Sequence, residues 1–175
     1  HYLISLLHAV HANADAPRSI STLVTTDYTK AFDRIEHNIA ICNLLQMNVR
    51  ENAVAWIADF LSNRTQCVKY QNTYSDWMEI KSGAPQGTRL GPVIFLAMIN
   101  KACSNEAIPC WKYVDDLTLL ECRNISSVSN MQQAVDHLQA WSTQNNMKLN
   151  PSKCSTMQVS FARNVPRPPD LMIGD

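Results

Sequence analysis

The stretch "WKYVDDLTLL", residues 111–120, sets two adjacent carboxylates, Asp115 and Asp116, between apolar runs that read as two strands. The chain must reverse direction there, and it does so on charge. Two like charges about 4 Å apart repel by roughly 4 kcal/mol at an effective dielectric of about 20, so the pair needs water, a proton or a cation. On these residues alone a solvated hairpin tip satisfies the pattern, because Asp is common in tight turns.

The apolar spacing around this hairpin defines the other elements. Residues 1–12 read as a helix that Pro17 closes, and "SISTLVTTDY" is a β-branched strand ending near Asp27. Ile41, Leu44 and Leu45 mark a helix that Asn48 ends in the left-handed conformation. A second helix carries Val54, Ile57, Phe60 and Leu61 on one face and stops at "SNRT". "QCVKYQ" and "WMEIK" are short strands joined by "NTYSD". They lead into "SGAPQGTRLGP", which holds three of the chain's four glycines and so implies a backbone that something approaches closely. "VIFLAMINKACS" reads as a buried helix. Val128, Met131, Val135, Leu138 and Trp141 recur at helical spacing up to Asn145 or Asn146, and "STMQVSF" is a last strand. With the middle hairpin set aside as an insertion, the order is an α+β, split β-α-β-β-α-β layout: an antiparallel sheet with helices on one face and the other face open.

Composition narrows the function classes. The 175 residues are 46% hydrophobic and 17% charged, a globular balance with length enough for one core. Fifteen basic side chains match fifteen acidic ones, so net charge argues for no particular partner. The one local bias is 137–169, which has no acid and carries Lys148, Lys153, Arg163 and Arg167. The six cysteines have no finger spacing and no signal peptide precedes them, which implies reduced thiols in an intracellular protein, nucleus and cytoplasm being left open. His8 and His11 share a helix face without a third ligand nearby. "YLISLL" is too short to span a bilayer, so no membrane partner is expected.

"TTDYTKAFD" places Asp27 at the end of a strand that, in this sheet, lies beside the Asp115–Asp116 hairpin. Three carboxylates then gather on the open face. Hard divalent ions take such oxygen ligands, and two of them about 3.5–4 Å apart can serve an in-line phosphoryl transfer. Four stretches in this order, "DYTKAFD", "GAPQGTRLGP", "YVDD" and "MKLNPSK", resemble the palm motifs of reverse transcriptases, most closely those of LINE-like, non-LTR retrotransposons. "WIADFLSNRTQCV" and "LQAWSTQNNMKLN" are similar to the same family, so the resemblance covers almost the whole chain.

The resemblance implies an RNA-directed DNA polymerase palm with partial fingers that extends a DNA primer on an RNA template with deoxynucleoside triphosphates. It implies two Mg2+ ions, with Mn2+ as an alternative, held by Asp27, Asp115 and the main-chain carbonyl of Tyr28, with Asp116 completing the acidic cluster. Asp33 caps or pairs structurally. Phe32 matches the steric gate against a ribonucleotide 2′-hydroxyl, while also fitting a core position. Pro85, Gln86 and Gly87 match the nucleotide-pocket loop, and Lys153 the lysine that meets the departing pyrophosphate, with a solvated turn lysine as the plain alternative. Arg64 and Arg89 are weaker candidates for phosphate contacts. The expected domain is one fragment, 1–175: partial fingers at 1–19, palm at 20–162, and an exit at 163–175 toward a thumb not contained here. Complete fingers are likewise expected outside the chain, and an endonuclease domain there is left open. Lys101 stands where LINE-like relatives carry Asp. The competing reading is a catalytically silent relic acting as an RNA-binding or structural module; intron maturases and telomerases resemble the chain less.

Overall fold

A computed structural model describes residues 1–103, 108–168 and 170–173. In chain order the elements are α1 (Tyr2–Ala14), β1 (Ser19–Thr26), a 3-10 turn (Phe32–Arg34), α2 (His37–Gln46), α3 (Glu51–Leu61), β2 (Thr65–Gln66), β3 (Lys69–Tyr70), β4 (Thr73–Tyr74), β5 (Met78–Glu79), α4 (Leu90–Ile99), β6 (Cys110–Tyr113), β7 (Asp116–Asn124), α5 (Met131–Gln144) and β8 (Ser155–Val159). They form two compact units, one of residues 1–29 with 102–175, the other of residues 30–101.

The first unit holds a four-stranded antiparallel sheet in the order β6-β7-β1-β8. β1 pairs with β7 over its whole length, from Ser19 opposite Asn124 to Thr26 opposite Leu117. This is the expected split β-α-β-β-α-β arrangement. Side chains alternate between the two faces. On one face Leu23 and its partner Leu120 form a core cluster with Leu6 of α1, flanked by Ala9, Val10, Trp111 and Val159. The Tyr2 hydroxyl bonds Thr118 Oγ1 at 2.6 Å, and Trp111 Nε1 donates to Ser5 Oγ at 3.1 Å.

The opposite face carries Thr22, Val24 and their partners Glu121 and Leu119. There α5 is fastened at both ends. Its entry donates to Glu121, through Asn130 N–H and Ser129 Oγ, each at 2.6 Å. Near its end Ser142 Oγ meets the Tyr28 hydroxyl at 3.1 Å. A carboxylate at a helix N-terminus also answers the positive end of the helix dipole. Helices therefore lie on both faces, which corrects the expectation of one helical face. The reason is in α1: its Leu6 stripe has an apolar sheet surface at Leu23 and Leu120 to cover.

In the second unit α2 packs on α3 and α4. Asn48, φ +57°, ends α2 as expected, and Asn63, φ +52°, follows α3. The middle hairpin is two-tiered: β2 pairs with β5, and inside it β3 pairs with β4 across Gln71 and Asn72. Thr73 and Tyr74, expected in the loop, are thus strand residues. Two other expectations are corrected. Leu45 is exposed, while Asn43 is buried and its Nδ2 lies 3.8 Å from Met98 Sδ. Val128 is 86% exposed and outside α5, because Glu121 takes the Asn130 N–H and starts the helix at Met131. The cysteines are free, and no helix of the described residues is long and apolar enough to cross a membrane.

Removing the Leu120 side chain, which is 1% exposed, should leave a cavity under α1. Leu120→Ala is expected to cost about 2–5 kcal/mol in urea unfolding, against less than about 0.5 for Leu7→Ala on the exposed side of α1.

Candidate active site

The β1–β7 register decides where the carboxylates lie. Thr26 pairs with Leu117, so one further step along the ladder sets Asp27 beside Asp116. Tyr113 pairs with Asp116, leaving Val114 and Asp115 as a two-residue turn. Val114 has φ +56°, at the first central position, where a hairpin turn ordinarily takes glycine. A β-branched residue is strained there. Asp116 is solvent-exposed and Asp115 half-buried. Partial desolvation, then the charges of Asp115 and Asp27, raise the Asp116 pKa above the ordinary carboxylate value, with Lys153 opposing.

The segment "KLNPSK" is clamped to the end of β1. Asn150 N–H donates to the Asp27 carbonyl and Thr29 N–H to the Lys148 carbonyl, each at 2.8 Å, flanking a bridge between Tyr28 and Leu149. That bridge uses the carbonyls of Asp27 and Lys148 and not that of Tyr28. The Tyr28 ring is buried, and burial pushes its hydroxyl pKa up. Past Pro151 the chain turns, with Lys153 and Cys154 N–H groups both donating to the Asn150 carbonyl. The turn delivers Lys153 Nζ to 3.1 Å from Asp27 Oδ2. Cys154 lies beside Asp27 too, and burial raises its thiol pKa.

Asp27 Oδ2 is cut off from water and has no aligned hydrogen bond; the lysine satisfies it by charge rather than by direction. The donor set, carboxylate oxygens with a main-chain carbonyl, suits a hard cation. Among the described residues, however, no group of three or more His, Cys, Asp or Glu is closed enough to hold a metal ion. The carboxylates lie toward one end of the sheet but stand open, with mutual repulsion and Lys153 on Asp27 acting against closure.

The remaining predicted residues form a second group within residues 30–101. The 3-10 turn and the glycine-rich loop are bound together by four hydrogen bonds. Gly83 N–H donates to the Ile35 carbonyl at 2.8 Å and Ala84 N–H to the Phe32 carbonyl at 2.9 Å. Ser82 Oγ donates to the Asp33 carbonyl and Gln86 Nε2 to Asp33 Oδ1, both at 3.1 Å. Asp33 thus pairs structurally, as expected. Phe32 is half-buried and stacks on Phe95, centroids 4.7 Å apart.

At Gly83, φ +90°, an added Cβ would lie 3.0 Å from the Asp33 backbone, so the close approach here is by the chain itself. Gly87, φ +79°, has open space around it and keeps glycine for its conformation. Pro85 accepts from Thr88 Oγ1 at 2.8 Å, and that hydroxyl accepts from Gly91 N–H at the start of α4. Sequence reasoning missed Thr88 and also His37, whose Nε2 donates to the Gly83 carbonyl at 2.9 Å. Thr88 had a signal, a hydroxyl just before a helix; His37 had none.

Residues 2–163 match the model of the reverse transcriptase (RNA-dependent DNA polymerase) family. The chain belongs to that family. It is similar to the probable RNA-directed DNA polymerase from transposon BS of Drosophila melanogaster, 28% identical over 150 residues. It is also similar to the RNA-directed DNA polymerase from mobile element jockey of that species, 25% identical over 146 residues. Each alignment covers 78% of the chain and 16% of the relative, so the chain spans about a sixth of those proteins. Among solved structures, telomerase from Candida tropicalis in complex with the TWJ fragment of telomeric RNA superposes with TM-score 0.67 at 12% identity, over 89% of this chain and 29% of that one. The apo enzyme truncated from its C-terminal domain gives 0.65 at 16%, over 90% and 34%. These likenesses establish the reverse-transcriptase palm-like α+β fold.

Two outcomes follow from this geometry. Gly83→Ala should cost about 1–3 kcal/mol in thermal unfolding, through the Asp33 backbone and the positive φ. Folding raises the Asp116 pKa, so the folded state is penalised while that group is charged, and the penalty fades as pH falls through the raised value toward about 4. In buffer free of divalent ions Asp116→Asn should therefore melt higher than the parent at pH 7, and the gap should close as the pH approaches 4. Equal melting temperatures at pH 7 would contradict the repulsion.

Proposed function

We propose that this chain is the palm of an RNA-directed DNA polymerase from a LINE-like, non-LTR element, transferring nucleotides to a primer 3′-hydroxyl. The observation that carries the reading is the ladder that sets Asp27 beside Asp116, with Asp115 in the turn between β6 and β7. When bound, two divalent ions, Mg2+ or alternatively Mn2+, supply Lewis acidity at the attacking and departing oxygens. Asp27, Asp115 and the Tyr28 carbonyl would hold them, with Asp116 completing the charge.

In the transfer, the 3′-hydroxyl gives its proton to solvent, and the bond from the 3′-oxygen to the α-phosphorus forms as the bond to pyrophosphate breaks. Lys153, poised at Asp27, is the cation that meets the pyrophosphate charge. The stacked ring of Phe32 is the steric gate, held by Phe95 against yielding to a 2′-hydroxyl. Gln86, fixed by Asp33, and Gly87 line the nucleotide pocket, with Pro85 stiffening the loop. The RNA template, DNA primer and deoxynucleoside triphosphates are the partners of this reading.

The test is primer extension on an RNA template by the full-length protein with Mg2+. Asp27→Asn and Asp115→Asn should each slow extension at least about a thousandfold, the weight of several kcal/mol at the transition state. Phe32→Ala should keep extension while admitting ribonucleotides. No extension by the parent protein, with RNA binding retained, would instead favour the silent binding module.

A further inference from the structure

His37 has no part in the chemistry above, yet it is built into the glycine-rich loop. It opens α2, just past the 3-10 turn that carries Phe32, and it is half-buried. The bonds between that loop and that turn run mostly one way. Gly83 N–H, Ala84 N–H and Ser82 Oγ donate to the carbonyls of Ile35, Phe32 and Asp33, and Gln86 Nε2 donates to the Asp33 carboxylate. The return bond is His37 Nε2 to the Gly83 carbonyl, at 2.9 Å.

That carbonyl and the Ala84 N–H belong to one peptide plane. Its oxygen is taken by His37 and its N–H by the Phe32 carbonyl, each at 2.9 Å. Gly83 and Ala84 are buried, so water is a poor replacement for either partner. Glycine at φ +90° supplies no side chain to resist rotation of the plane. A half-turn would carry the oxygen away from α2 and break the bond to Phe32 in the same movement. The imidazole therefore opposes that flip from the oxygen side, as Phe32 does from the nitrogen side.

A steric gate works by clash, and a clash discriminates only as far as the ring is kept from retreating. The Phe32 ring rests on Phe95, and its backbone is tied to Ala84. Freeing the 83–84 plane removes the second restraint and loosens the loop that carries Gln86. We propose that His37 is a positioning residue that locks the 83–84 peptide plane and, through it, sets nucleotide selectivity. The selectivity rests on the polymerase reading, which makes Phe32 the gate and Gln86 part of the pocket. The lock is a property of the fold and is measured without catalysis.

The experiment takes the full-length protein through two readouts. In hydrogen exchange without nucleotide, His37→Phe is expected to speed exchange across residues 82–87 about tenfold, with α3 at parental rates. In primer extension on an RNA template with Mg2+, the same variant should raise KM for deoxynucleotides about threefold, keep kcat within about twofold, and cut discrimination against ribonucleotides about fivefold. His37→Gln, whose amide N–H reaches the same oxygen, should return both readouts toward the parent. Parental exchange at 82–87 in His37→Phe overturns the proposal. So does His37→Gln as impaired as His37→Phe, or a fall in kcat with KM and selectivity unchanged. If the parent itself extends no primer, the polymerase reading fails, while exchange still decides whether His37 holds the loop.

Discussion

The pairing of β1 with β7 is the constraint on which the first unit depends. A slip of one residue would exchange the faces of every side chain on β7. Glu121 guards against that slip. It is 6% exposed and takes hydrogen bonds from Asn130 and Ser129 on the α5 face. Moved to the other face it would sit with Leu6 and Leu23, a buried carboxylate without donors. The same register sets Asp27 beside Asp116, so a buried carboxylate that receives the helix entry and an acidic centre are fixed by one ladder.

The acidic end is a compromise between attraction and repulsion. Partial desolvation, then the charges of Asp115 and Asp27 on neighbouring strand ends, raise the proton affinity of Asp116. Lys153 offsets part of the charge, but at 66% exposure its ion pair is screened by water and contributes little to stability. A weak, exposed partner is a replaceable one. In the proposed reading, a cation entering at Asp27 would displace only a solvated ammonium group.

Much of this was legible in the sequence, because the signals were local. Strand β1 announced itself through its β-branched residues, α3 through Val54, Ile57 and Leu61, and the helix ends through Asn48 and the residues after Trp141. The order of the four motifs carried the family. What was not legible depends on contacts distant in the chain. Asn43 and Leu45 lie two residues apart and so on different sides of α2, and the presence of α4 decides that the amide goes inward. Val128 fits the helical period of α5, but Glu121, seven residues earlier on a strand, sets where the helix begins. Likewise the glycines of "SGAPQG" signalled close approach without naming the partner, and at Gly83 the partner is the chain's own turn at Asp33.

Val114 shows why local strain persists beside Asp115. A left-handed conformation costs an ordinary L-residue about 1–2 kcal/mol, and β-branching adds crowding. Glycine would remove that cost, yet it would also let the turn sample other shapes, since glycine is free on both sides of φ. With valine the alternatives within the turn are few. The antiparallel pairs from Cys110 with Leu119 to Tyr113 with Asp116 hold the one that remains. The strands thus sustain a strained turn, the turn narrows the positions open to the Asp115 carboxylate, and the β1–β7 ladder determines what that carboxylate faces.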